Sequence, residues 1–207
     1  MSFVLAFLLF AILHTILANN RVKQFTFEKF PALRYYYRLF YNVIAVITLG
    51  VVWFYAPVAD ITIYSLSGFT AYTFHFIQLI ALIFLIRTVT FFGGGTFVGL
   101  KQIKHHLAEN KPEYDLDEPA SETYITTGPY AYVRHPLYFF SVIILVFHPY
   151  MTLKWLIFTI CCILYFWLGS IPEERKLVER FGSEYENYQQ QVPRLIPMVS
   201  LKKAHKQ

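Results

Sequence analysis

Five apolar runs limit what this chain can fold into. They cover residues 2–18, 39–55, 69–89, 137–150 and 153–171. Lysine and arginine gather in alternate connections between them. If the N-terminus lies outside a membrane, the first connection, the third connection and the C-terminal segment all face the cytosol. Of the 18 lysines and arginines, all but Lys154 then fall on that side. This asymmetry is the charge pattern of a multi-pass membrane protein.

Composition points the same way. Charged residues make up 15% and hydrophobic residues 56% of the chain, whereas soluble domains carry roughly 25% charged residues. The net charge of +5 does not indicate a nucleic-acid binder, because the basic residues adjoin apolar segments and form no solvated stripe. No metal is expected. Cys161 and Cys162 are neighbours within an apolar run and read as packing residues, and His105 and His106 would diverge on a helix. Gly93-Gly94-Gly95 lacks a following Gly-Lys-Ser/Thr and reads as a turn, not a phosphate loop. No apolar run holds an acidic residue, which disfavours a channel or transporter.

The expected fold is an all-α integral membrane protein. It has five transmembrane helices, including a C-terminal helical hairpin, with the N-terminus outside and the C-terminus cytosolic. Residues 58–68 read as a short loop, and Pro172 as the end of the fifth span. His14 is expected to make an interhelical hydrogen bond. His75 and Gln78, three residues apart on one face, are expected to do the same. The acidic stretch through Glu113, Asp115, Asp117, Glu118 and Glu122 reads as a solvated loop.

Two polar clusters flank the last apolar pair. The first runs Thr127-Gly128-Pro129-Tyr130, then Arg134-His135-Pro136-Leu137-Tyr138. The second holds Glu173-Glu174, Arg180-Phe181-Gly182, Tyr185 and Tyr188. A hairpin would return both to the same side of the membrane. Pro136 suits the first turn of a helix, where a missing N–H costs nothing. Arg134 cannot shed its charge and needs a partner when sunk, so Glu173 and Glu174 are its expected partners. Ser183 and Glu186 have capping-box spacing. Residues 137–149 give about 20 Å of helix against a hydrocarbon core of about 30 Å. The Arg-His-Pro motif is therefore expected to lie sunk in the inner leaflet.

These motifs resemble the isoprenylcysteine carboxyl methyltransferase family and its phospholipid methyltransferase relatives. The resemblance rests on Arg134, His135, Pro136 and Tyr138, followed by Glu173, Glu174, Arg180, Phe181, Gly182, Tyr185 and Tyr188. The rest of the chain is similar to the nurim-like branch, which includes NnrU-like proteins and methanethiol S-methyltransferases. His14-Thr15, Val22-Lys23, the stretch Tyr37-Arg38-Leu39-Phe40-Tyr41-Asn42, Gly99-Leu100-Lys101-Gln102 and Met151-Thr152 carry that similarity.

The resemblance implies a methyltransferase of a multi-pass membrane, taken as the bacterial inner membrane, with its site facing the cytosol. It implies S-adenosylmethionine as cofactor, bound by Gly128, Tyr130, Arg134, His135, Pro136, Tyr138, Glu173, Glu174 and Tyr185. Glu174 and Arg180 would be catalytic, near the transferred methyl. Residues 1–126 would form a scaffold of three transmembrane helices and cytosolic loops, and residues 127–197 the cofactor-binding hairpin with amphipathic helices. Residues 198–207 would be a basic tail. The implied acceptor is a small thiol such as methanethiol, with membrane lipid as surroundings. A prenylcysteine carboxylate, a lipid acceptor, or a non-catalytic nurim-like protein remain alternatives. Many relatives carry Gly two residues after the motif Tyr, where this chain has Phe140. That ring is expected to narrow the pocket in favour of a small acceptor.

Overall fold

A computed structural model describes residues 2–109 and 124–197. The acidic stretch and the basic tail lie outside the described residues. Helix α1 spans Phe3–Ala18 and is capped by the Ser2 hydroxyl, which accepts from the Leu5 N–H. Asn19 then starts α2, Asn20–Lys29, which turns 59° away from α1. A 3-10 turn at Pro31–Tyr35 leads into α3, Tyr37–Tyr55. Strand β1, Thr62–Ser65, precedes α4, Gly68–Phe92. Two short helices follow, α5 at Gly94–Val98 and α6 at Leu100–Glu109. Beyond the undescribed stretch come a 3-10 turn at Gly128–Ala131, α7 at Pro136–Val146 and β2 at Tyr150–Thr152. The chain closes with α8, Leu153–Phe181, and α9, Ser183–Gln191.

Three of these helices, α3, α4 and α8, are long and apolar enough to cross a membrane, and the bent pair α1–α2 is a fourth candidate if counted as one span. Their outer faces carry bare apolar side chains, such as Val46 at 73%, Phe54 at 79% and Phe69 at 87% exposure. Apolar surface on this scale needs lipid to cover it. The fifth apolar segment, α7, has 11 residues, about 16 Å of helix, and falls short of the ~30 Å hydrocarbon core.

The core lies where α1, α3 and α8 meet. Phe3, Ala6, Phe7, Val52, Ala56 and Cys162 are buried together there. Phe158 meets Phe3 at 6.5 Å and Phe7 at 6.1 Å between ring centroids, both edge to face. Cys162 is thus a packing residue, and neither cysteine is bridged. The second seam joins α4 to α7. Gln78 Nε2 donates to the Ile144 carbonyl at 2.8 Å, and His75 Nδ1 sits 3.1 Å from Gln78 Oε1. The pair makes the expected interhelical link. Phe140 stacks on Phe84 of α4 at 5.3 Å. Two residues along a helix turn through about 200°, so Phe140 points away from the face that carries Tyr138.

Several expectations need correction. Residues 58–68 are not all loop: β1 pairs antiparallel with β2 in the register Tyr64↔Met151 and Ser65↔Tyr150. Main-chain hydrogen bonds so tie the α3–α4 connection to the α7–α8 connection. Pro172 does not end its span. It sits inside α8, which runs for 29 residues, about 43 Å. The ring costs one main-chain hydrogen bond, yet the helix runs on to Phe181, about two and a half turns further. Those turns take Glu173 and Glu174 out along one rigid rod. The capping box does not form either. Gly182 is the N-cap of α9 and Ser183 is already its first helical residue. Of the triple glycine, Gly93 makes a left-handed turn after α4, while Gly94 and Gly95 open α5.

The α5–α6 corner is clamped onto the start of α3. Asn42 Nδ2 donates to the carbonyls of Phe97 and Val98 at 3.1 and 3.2 Å. Gly99 has φ +100°, and a Cβ there would lie 2.7 Å from the Leu39 amide nitrogen. Only glycine permits that approach.

Candidate active site

The two polar clusters meet. Pro136 occupies the first turn of α7 with His135 as N-cap, so Arg134 and His135 sit just below the helix. Their main-chain N–H groups donate to the carbonyls of Pro193 and Arg194 at 2.9 and 3.1 Å. The segment after α9 therefore straps across the motif. Tyr188 Oη donates to the Tyr130 carbonyl at 2.6 Å, binding α9 to the Gly128–Ala131 turn. Gly128 takes φ +61°, and a Cβ there would strike the Phe91 ring at 2.8 Å.

At the centre lies a salt bridge with both side chains about nine-tenths buried. Arg134 Nε and Nη2 donate to Glu174 Oε1 and Oε2 at 2.6 and 3.0 Å. Its Nη1 donates to the carbonyls of Gln189 and Val192 at 2.8 and 2.6 Å. Gln189 Nε2 adds a donor to Glu174 Oε2 at 3.0 Å. Burial of such a pair is tolerated because every partner is supplied.

His135 bridges the two glutamates. Nε2 lies 3.2 Å from Glu174 Oε1 and Nδ1 lies 3.3 Å from Glu173 Oε2. Both ring nitrogens can donate only in the imidazolium form. Burial opposes that charge, but the hydrogen bonds and charges of Glu173 and Glu174 outweigh it and raise the pKa above 6.5. With Arg134, the cluster carries two cations against two carboxylates.

Glu173 differs from Glu174. Its side chain is 51% exposed, and Tyr138 Oη donates to its Oε1 at 2.6 Å. Tyr138 is sandwiched between His135 at 5.3 Å and Phe166 at 4.8 Å, all nearly parallel. Burial, and then the charge of Glu173, push the Tyr130 phenol up to about 12. The site thus presents one accessible carboxylate edged by aromatic faces. That arrangement suits an organic cation.

The structure brings together Gly128, Tyr130, Arg134, His135, Pro136, Tyr138, Glu173 and Glu174. Tyr185 is buried in α9 beside Tyr124 at 5.2 Å and Tyr188 at 5.6 Å. Arg180 is exposed, over the Phe181 ring at 5.3 Å, about 9 Å of helix rise beyond Glu174. Pro193 and Arg194 fall within the expected 127–197 unit, but Gln189 as a donor to Glu174 and the main-chain carbonyls of Val192, Pro193 and Arg194 as acceptors were not anticipated. Main-chain acceptors carry no side-chain signature, and Gln189 is one of three consecutive glutamines.

Comparison with known proteins places the chain in a family. The model of the Isoprenylcysteine carboxyl methyltransferase (ICMT) family matches residues 116–179. A methanethiol S-methyltransferase of Crocosphaera subtropica is 30% identical over 94% of this chain and 73% of its own length. The chain belongs to the methanethiol S-methyltransferase family. One from Pseudomonas deceptionensis is 28% identical over 95% of this chain and 72% of its own length. Methanethiol S-methyltransferase 1 of Bradyrhizobium diazoefficiens is 27% identical over 91% of this chain, which spans 64% of that protein. No solved structure matches. The protein is a membrane methyltransferase, and the non-catalytic alternative is not favoured.

Proposed function

We propose that the protein methylates a small thiol, with methanethiol as the acceptor, using S-adenosylmethionine bound at the cytosolic face. The observation that carries this reading is Glu173, a half-exposed carboxylate held between Tyr138 and His135. The cofactor supplies a methyl group activated by a sulfonium cation. The residues present fit such a group, because Glu173 offers the charge and the Tyr138 and Tyr130 rings offer π-faces.

Around that carboxylate the roles divide. Gly128, Tyr130, His135, Tyr138, Glu173 and Tyr185 would line the cofactor site, and Pro136 would set the turn. Glu174 has donors on both oxygens. It would act by fixing Arg134 and His135, with no oxygen left for a direct part in transfer. Arg180 would contribute its positive charge from the cytosolic end of α8.

The fold would cross the membrane five times, counting α1–α2 once and α7 as a short fifth segment. The charge asymmetry supports an outer N-terminus and a cytosolic site, sunk in the inner leaflet because α7 is short. The parent membrane would be the bacterial inner membrane.

The test is calorimetric titration of the purified protein with S-adenosylhomocysteine, followed by assay of dimethyl sulfide from methanethiol. Saturable binding lost in Glu173→Gln, with product formed by the wild type, is expected. No binding by a folded sample would overturn the reading.

A further inference from the structure

The seam between α1 and α3 carries the Tyr37 hydroxyl donating to the Leu17 carbonyl at 2.7 Å and a second polar contact at His14. His14 Nε2 is hydrogen-bonded to the Tyr41 hydroxyl. The imidazole stacks on Phe10 at 5.6 Å and meets the Tyr165 ring at 6.0 Å. From Tyr165 a row of rings leads to the cofactor cluster: Phe166 at 6.2 Å, then Tyr138 at a further 4.8 Å. Six residues beyond His14, Asn20 Oδ1 accepts from Lys176 Nζ at 3.4 Å. Glu173 lies on the stretch of α8 between these two contacts, Tyr165 and Lys176. The His14–Tyr41 pair and the exposed carboxylate are thus linked through α8.

A thiol attacks as the thiolate, so its proton needs an acceptor. The ionic cluster has none to spare. Arg134 stays charged, His135 is held as imidazolium between two carboxylates, and Glu174 is filled by donors. Glu173 already takes the Tyr138 hydroxyl and His135, and its charge serves the cofactor. Among the described residues His14 has no carboxylate partner, and a neutral imidazole that donates Nε2–H to the Tyr41 oxygen keeps a proton-accepting lone pair on Nδ1. An apolar crevice of about 280 Å³ also opens between α1 and α3, walled in part by Phe10, Leu13, Thr48 and Val51. Phe10 and Leu13 of its wall lie within four residues of His14 on α1, so a small apolar thiol held there would approach that end of the helix.

We infer that His14, oriented by Tyr41, takes the proton from the acceptor thiol. This rests on the thiol-methylation reading above. The S–H bond breaks, its electron pair stays on sulfur, and an N–H bond forms on the imidazole. The proton passes to water as the product leaves. Tyr41 from α3 is bonded to His14 and Tyr165 from α8 meets its ring at 6.0 Å, while Arg38 on α3 and Glu173 on α8 are charged groups that act on those tyrosines.

The test uses the full-length protein in detergent with His14→Gln, which keeps a hydrogen-bonding side chain but cannot take up the proton. Calorimetry should show S-adenosylhomocysteine affinity within twofold of wild type. At neutral pH, kcat/KM for methanethiol should fall by about 10²–10⁴-fold, the usual worth of a general base. A thiol acidic enough to be ionised at the assay pH should restore the rate to near wild type. An equal loss with both thiols, no loss with either, or a loss of S-adenosylhomocysteine affinity would overturn the inference. Wild-type protein that binds S-adenosylhomocysteine but methylates neither thiol would overturn the acceptor reading, and this inference with it.

Discussion

Arg134 and Glu174 meet edge to edge, with both guanidinium–carboxylate bonds formed at 2.6 and 3.0 Å, although 40 residues of hairpin separate them. The pair locks the base of α7 to the far end of α8. Replacing Glu174 by Gln leaves a buried guanidinium without its counter-charge, a loss of about 3–5 kcal/mol. The melting temperature in detergent should fall clearly, and S-adenosylhomocysteine should recover only part of it. An unchanged melting temperature would show that the pair holds nothing together.

Glu173 should behave differently. Its carboxylate is half exposed and, among the described residues, bonded to Tyr138 and His135. Glu173→Gln should leave the fold close to wild type while cofactor affinity drops at least tenfold, as read by calorimetry. Equal melting losses in Glu173→Gln and Glu174→Gln would refute this division of roles.

The His135 site makes stability depend on pH. The folded-state pKa lies above the ordinary 6.5 because the two carboxylates outweigh burial. Folding therefore binds the proton more tightly than the unfolded chain does. The contribution is complete below about pH 6.5 and is lost as pH rises through the folded value. Melting temperatures taken from pH 6 upward should fall across that window, and the slope should flatten in His135→Asn. A parallel slope in the variant would assign the effect elsewhere.

Gly99→Ala should destabilise the α5–α6 corner. The added Cβ would meet the Leu39 nitrogen at 2.7 Å, at a φ of +100° that alanine resists. Strain of this kind costs about 1–3 kcal/mol. Proteolysis near residues 96–100 should speed up, whereas Gly50→Ala, with nothing within 4 Å of its Cβ, should cut like wild type.

The main architecture was legible in the chain. Long apolar runs can satisfy their main-chain groups in lipid only as helices, so α1, α3, α4 and α8 followed directly. The partnership of Arg134 with Glu174 was legible too, because a fixed charge beside an apolar span requires a counter-charge, whereas Glu173, expected as a second partner, instead takes Tyr138 and His135. Pro172 misled because a proline that breaks an isolated helix can be carried by neighbouring helices. The ribbon of Tyr64 and Met151 was hidden because its segments are only four and three residues long, too short for a periodic signal.

The amino-acid sequence by itself determined that this is a helical membrane methyltransferase with a motif on each side of a hairpin. Apolar length, charge asymmetry and residue identity are local properties, and they need no fold to be read. Only the tertiary structure decided which glutamate is locked by donors and which stays open. It alone brought His14 beside Tyr41 and placed the strap carbonyls under Arg134. Those facts depend on distances between residues far apart in the chain. Adjacent glutamates on one helix point about 100° apart, so their fates are set by what the other helices place around them.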